Sequence, residues 1–175
     1  IGLSNIGPSR LQKIINFLAE KEKKISCVQV QYSLLSPDIE KQNIVKRICS
    51  QNKIDFLGYS PLSFGILCKD PAIKDKNKKS FLRNLIFQIY DQPSLELRLA
   101  MKEISNYRSA SLAQVAINWC FYKGVIPIVG LRKKSQVLDI CSSFNWNLSR
   151  EEFDILENAS KNCSKRLPGN PFSSV

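Results

Sequence analysis

Apolar positions along the chain alternate between a two-residue period and one near 3.6, marking short strands and amphipathic helices in turn. Ile1 to Ser4 reads as the end of a strand. Gly7-Pro8 then breaks it, and Pro8 suits a first helical turn. Leu11, Ile14, Ile15 and Leu18 follow at i, i+3, i+4, i+7 and predict a helix. Cys27 to Gln31 predicts a second strand, and Ser36-Pro37-Asp38 turns into a helix marked by Ile44, Val45, Ile48 and Cys49. A third strand is expected over Ile54 to Gly58. The connection from Pro61 to Pro93 exceeds ordinary loop length, which points to a functional excursion. Within it Leu82, Leu85, Ile86 and Ile89 predict a short helix.

Leu97, Ala100, Met101 and Ile104 mark the next helix. Another starts at Ser111, aligns Leu112, Val115, Ala116, Trp119 and Cys120, and stops at Gly124. The fourth strand is expected over Val125 to Val129, with a turn at Gly130. A short helix carries Val137, Leu138 and Cys141. The last one opens at Ser149-Arg150-Glu151-Glu152, a capping box. The tail from Pro168 to Val175 has no periodicity.

The order is therefore β-α-β-α-β-α-α-β-α-α, which argues parallel strands covered by helices. A doubly wound open sheet and part of a (β/α)8 barrel both fit. The G-x-G-x-x-G phosphate loop of dinucleotide-binding open sheets is missing. Four strands are half of a barrel, whose eight take roughly 250 residues.

Composition narrows the chemistry. Of 175 residues, 43% are apolar and 23% charged, an ordinary globular balance. No apolar run approaches the length of a membrane span, and no signal peptide opens the chain. The first residue is Ile1 rather than Met, inside a predicted strand, so the sequence reads as a piece of a longer chain. There is no histidine, which removes Ser-His-Asp and Cys-His catalysis and His-ligated metals from this piece. The six cysteines form no C-x-x-C pair and mostly sit within apolar stretches; free core thiols in a reducing cytosol are expected rather than disulfides or zinc. Net charge is +11. The lysines at 21, 23, 24 and at 74, 76, 78, 79 have no aromatic residues interleaved for base stacking and read as solvated surface.

In a barrel the reactive face lies at the carboxyl ends of the strands. That rule selects Ser4-Asn5, Gln29 to Tyr32, Tyr59 to Ser63, and Gly130 to Gln136. Gln29 and Gln31 share one strand face. Tyr59 offers a flat ring. Arg132, Lys133 and Lys134 precede a helix, whose amino end favours anions. Each taken alone also suits turn chemistry or a solvated helix start. Together they describe a ligand with an aromatic ring at one end and a phosphate at the other.

Four segments then resemble the aldo-keto reductase superfamily, in order and in spacing. They are Gly2-Leu3-Ser4-Asn5, Val28 to Leu35, Gly58-Tyr59-Ser60-Pro61-Leu62, and Ile126-Pro127-Ile128-Val129-Gly130. Trp146 before Leu148 to Glu152 is similar to the family's C-terminal part. The resemblance implies the C-terminal half, strands five to eight, of a (β/α)8 TIM barrel. Residues 1–175 would then be a partial oxidoreductase domain lacking its N-terminal half. It also implies hydride transfer from NADPH, with NADH possible, to an aldehyde or ketone.

Carried over residue by residue, Ser4, Asn5 and Gln29 would hold the nicotinamide carboxamide and Tyr59 would stack on the ring. Ser60, Pro61, Leu62, Ser63 and Gly65 would line the pyrophosphate. Gly130, Leu131, Arg132 and Gln136 would approach the adenosine end, with Arg132 toward a 2′-phosphate. Gln136 stands where many members carry Arg, and Ile140 where many carry Asn. The family's catalytic Asp, Tyr, Lys and His come from the first half of the barrel, so no catalytic residue is expected here and the piece alone is expected to be inactive. Pro171-Phe172 is expected to border the substrate. The expected partner is a small carbonyl substrate, without nucleic acid or membrane, in the cytoplasm or a plastid stroma. A non-catalytic, cofactor-sensing regulatory subunit of the same fold and a basic nucleic-acid-binding protein are the competing readings.

Overall fold

A computed structural model describes residues 1–36, 39–73 and 81–169. Four strands, β1 (Gly2–Ser4), β2 (Cys27–Gln31), β3 (Asp55–Tyr59) and β4 (Ile126–Ile128), form one sheet in chain order, each pair parallel. Helices α1 (Pro8–Ala19), α2 (Ile39–Gln51), α3 (Phe81–Asp91), α4 (Leu95–Tyr107), α5 (Leu112–Tyr122), α6 (Lys134–Cys141) and α7 (Arg150–Lys161) fill the connections. Short 3-10 stretches cover Ser63–Cys68 and Ser142–Asn145. The order and spacing are those of part of a (β/α) barrel.

The period of two sorts each strand's side chains. Val28, Val30 and Phe56 face the helices and are buried. Leu57, Ile126 and Ile128 lie on the opposite face, and the two isoleucines are 51% and 41% exposed. Parallel strands normally carry cover on both faces. Here the helices cover one; on the other, Ile126 and Ile128 stay exposed beside the half-buried Gln29, Leu57 and Tyr59.

Helix α5 is the centre of the core. Ser111 accepts from the Gln114 amide at 3.1 Å, which caps its start. Gly124, at φ +65°, supplies the left-handed residue that ends it. Trp119 is buried and stacks on Tyr32, with ring centroids 5.3 Å apart; Tyr32 meets Phe56 edge-on at 5.6 Å. Helix α7 opens with the predicted capping box: Glu152 N–H donates to Ser149 Oγ, and Ser149 N–H to Glu152 Oε2.

The long connection after β3 is fastened by a buried arginine. Arg98, 2% exposed, donates to the Lys69 carbonyl, the Asp91 carbonyl and carboxylate, and Ser94 Oγ. It ties the end of the Ser63–Cys68 stretch to the junction of α3 and α4. The chain after α7 is clasped in the same manner, because Arg166 and Ser160 both donate to the Leu34 carbonyl.

The expected short helix carrying Val137, Leu138 and Cys141 is present as α6, but Val137 and Leu138 are 42% and 61% exposed and α6 buries no residue. It follows the edge strand β4, and among the described residues no further strand lies beyond for it to cover. The cysteines were expected as core thiols; Cys49 and Cys120 are buried, but Cys68 and Cys141 are exposed. Pro37-Asp38, the lysines at 74, 76, 78 and 79, and Pro171-Phe172 lie outside the described residues.

Candidate functional site

The strand ends bring four of the expected residues together. Register pairs Ser4 with Gln29, and Gln31 with Tyr59. Asn5, just past β1, has φ +52°; its backbone N–H donates to the Gln29 carbonyl at 2.8 Å and its side-chain amide to Ser4 Oγ at 3.0 Å. The Tyr59 hydroxyl donates to Asn5 Oδ1 at 2.9 Å, across β2. The phenol thus lies along the carboxyl ends of three neighbouring strands. Tyr59 and Gln29 are half-buried, while Gln31 is buried.

The loop after β3 is left-handed at several positions. Ser60, Ser63 and Phe64 have φ of +54°, +51° and +57°, and Gly65 has +90°. Non-glycine residues in this region carry strain that the surroundings must hold, and such strain gathers at functional sites. Two backbone bonds brace the turn, Ser63 N–H to the Ser60 carbonyl at 2.9 Å and Gly65 N–H to the Leu62 carbonyl at 2.8 Å. Pro61 is buried, and Leu62 and Gly65 are half-buried.

Ser63 departs from its expected place lining a ligand. It is fully buried, and its hydroxyl donates to Ser33 Oγ at 2.9 Å, which in turn is 3.2 Å from Ser36 Oγ. Three serines pin the β3 loop to the β2 loop, so Ser63 acts as a brace. The sequence gives no local sign of this, since Ser33 and Ser63 lie far apart along the chain.

At the fourth strand end Gly130, Leu131, Arg132 and Gln136 are exposed. No atom lies within 4 Å of a Cβ built on Gly130, which leaves open space beside the backbone. Gln136 Oε1 accepts from the Arg132 and Lys133 amides at 2.8 and 3.0 Å. Its carboxamide oxygen therefore organises the start of α6, while the Arg132, Lys133 and Lys134 side chains stay exposed. Asp139 holds α6 against α5 by accepting from Ser111 Oγ at 2.9 Å and Gln114 Nε2 at 2.7 Å.

Amides, a flat ring, a strained loop and exposed cations thus follow the carboxyl ends of four neighbouring parallel strands. The donor set suits a ligand that is a carboxamide-bearing ring at one terminus and a phosphate at the other. The described residues contain no cluster of histidine, cysteine or acidic groups able to hold a metal.

The sequence model of the Aldo/keto reductase family matches residues 1–161. The chain belongs to the aldo/keto reductase family. Pyridoxal reductase, chloroplastic, of Arabidopsis thaliana is 38% identical over 174 residues, covering 98% of this chain and 46% of the relative. The NADPH-dependent alpha-keto amide reductase of Saccharomyces cerevisiae is 28% identical over 155 residues, covering 88% of this chain and 41% of the relative. The chain thus spans less than half the length of these curated relatives.

Solved structures share the fold. The thermostable aldo-keto reductase Tm1743 superposes with a TM-score of 0.66 at 20% identity, over 91% of this chain and 47% of that one. A silkworm (Bombyx mori) aldo-keto reductase complexed with NADPH gives 0.62 at 21% identity, over 91% of this chain and 41% of that one. No described helix of this aldo/keto reductase chain is long and apolar enough to cross a membrane.

Proposed function

We propose that this chain is the cofactor-binding, C-terminal half of an NAD(P)H-dependent aldo-keto reductase acting on an aldehyde or ketone. The observation that carries the reading is the Asn5–Tyr59 bond across β2, which sets a ring and two amides side by side at the strand ends. Family membership and the NADPH-bound silkworm relative support it.

The residues fit a nicotinamide dinucleotide. Asn5 and Gln29, with the Ser4 hydroxyl, offer both donors and acceptors to a carboxamide. Tyr59, fixed through its hydroxyl, presents a ring for stacking and is positioned as a platform rather than as an acid. Ser60, Leu62 and Gly65 flank the pyrophosphate path, with Ser63 bracing that loop from beneath. Arg132, with Lys133 beside it, takes the adenosine-side phosphate, which favours NADPH over NADH. When bound, the reduced nicotinamide supplies hydride to the carbonyl carbon.

This chain orients and excludes water; protonation of the carbonyl oxygen falls to residues it does not contain. It has no histidine, and Tyr59 is committed to Asn5. Alone it is therefore inactive toward carbonyls. The compartment is the cytoplasm or a plastid, the chloroplast being where the name of the Arabidopsis relative places that protein.

Titrating NADPH into the chain, read by cofactor fluorescence, tests the reading. Saturable binding that weakens in Tyr59→Ala and Arg132→Ala, without turnover of pyridoxal or a simple ketone, is expected. Binding indifferent to both substitutions, or reduction by the chain alone, overturns it.

A further inference from the structure

At the opposite end of the strands from the cofactor rim, a cavity of about 500 Å³ opens between α2, α5 and the start of β3. Its size is that of a small-molecule site, and every residue lining it comes from segments 46–56 and 123–124. These belong to the last turns of α2, the start of β3 and the end of α5.

Its charge is unbalanced. Lys46 and Arg47, from the third turn of α2, both line it. The Lys46 ammonium donates to the Lys123 carbonyl at the end of α5. That bond uses one of its three donors and meets only the partial negative charge of a helix end. The ion pairs among the described residues include neither Lys46 nor Arg47. Lys123, whose backbone also lines the cavity, spends its own charge on Glu157 at 3.2 Å. Partly buried charges are ordinarily paired. Burial, and the nearby Lys123 charge, push the Lys46 ammonium below the usual lysine range, the mark of a cation short of a counter-charge.

The rest of the wall is mixed. Ser50 and Gln51 add hydrogen-bonding side chains beside the cations, and Ile54 and Phe56 give an apolar floor. A bare inorganic anion would leave that floor uncovered. The arginine fork matches two oxygens of one phosphate, and the lysine adds a point charge.

We propose that this cavity binds the phosphate monoester of a small, partly apolar molecule, with its phosphate between Lys46 and Arg47 and its body over Ile54 and Phe56. The site is separate from the nicotinamide rim and does not depend on that assignment. It lies on the helix-covered side, so it stays open whether or not the other sheet face is covered.

Phenyl phosphate is a suitable probe, titrated at constant ionic strength into the isotope-labelled chain and followed by backbone amide shifts. Saturable shifts at residues 46–56 and 123–124 are expected, with tighter binding than inorganic phosphate. Arg47→Gln, at an exposed position, should weaken the complex roughly tenfold, the scale of one charge-assisted phosphate contact. Lys46→Met should weaken it similarly. Shifts confined to 130–136, absence of saturation, full affinity in Arg47→Gln, or equal affinity for inorganic phosphate would each overturn the proposal.

Discussion

Alanine at Gly58 should destabilise the fold, and alanine at Gly130 should not. Gly58 pairs with Val30 and Pro127 in the middle of the sheet. A Cβ there would stand 2.8 Å from Val125 Cγ1 and 3.0 Å from Tyr32 Cβ. Neither neighbour has room to retreat: Val125 is 2% exposed, and Tyr32 is fully buried between Trp119 and Phe56. Overpacking of this kind costs about 1–3 kcal/mol. Restricting the unfolded chain returns about 0.4–1 kcal/mol. The clash wins, leaving a net loss of about 1–2 kcal/mol, or roughly 2–8 °C in Tm for a chain of this length. At Gly130 no atom lies near the added methyl and φ is outside the left-handed region, so only the unfolded-chain effect acts and stability holds or rises slightly. Thermal unfolding by circular dichroism, at matched protein concentration, measures both. A Gly58→Ala protein as stable as the parent, or a Gly130→Ala protein that falls equally, refutes the packing argument.

Acid should weaken the α4–α7 junction. The Arg108 guanidinium bonds both Glu152 oxygens at 2.8 Å and holds that carboxyl below the usual glutamate range. A depressed folded-state pKa contributes stability above the unfolded value and loses it as pH falls through the folded one. Glu152→Gln should therefore flatten the acid limb of a stability–pH profile; an unchanged limb would dismiss the pair as its source. The open sheet face should drive the isolated chain to self-associate, and Ile126→Lys with Ile128→Lys should raise the monomer fraction in light scattering. A monomer with one sharp unfolding transition before any substitution would contradict this. Thiol labelling should proceed in two stages, Cys68 and Cys141 first, Cys49 and Cys120 only on unfolding. Burial pushes the last two thiols up to about 11 and about 12, which removes the reactive thiolate near neutrality. Rapid labelling of Cys120 in the folded chain would argue against the buried α5 core.

Local pattern carried much of the fold. Strand β2 spans the residues its alternation predicts, and Pro8, Ser111, Gly124 and Ser149 mark helix limits where their backbone preferences place them. The polar residues after each strand were legible for the same reason, because a turn interrupts the period and leaves its side chains visible. The resemblance to a known family was legible too, as four ordered segments. What escaped the sequence depends on partners distant in the chain. Ser63 looks like any loop serine until Ser33 meets it, and Gln136 looks like a ligand-facing side chain until the Arg132 and Lys133 amides claim it. Arg98 is buried on α4 because the Lys69 and Asp91 carbonyls, both outside that helix, accept its guanidinium N–H groups. Periodicity reports which face of an element is apolar; it cannot report what lies against that face. Hence α6 has a helical pattern but no cover, and the cavity beside Lys46 forms only because α2 and α5 meet over the start of β3. Backbone propensity and patterning act over a few residues and were fixed by the sequence by itself, whereas burial of charge, bracing of loops and enclosure of space are non-local and were decided by the tertiary structure.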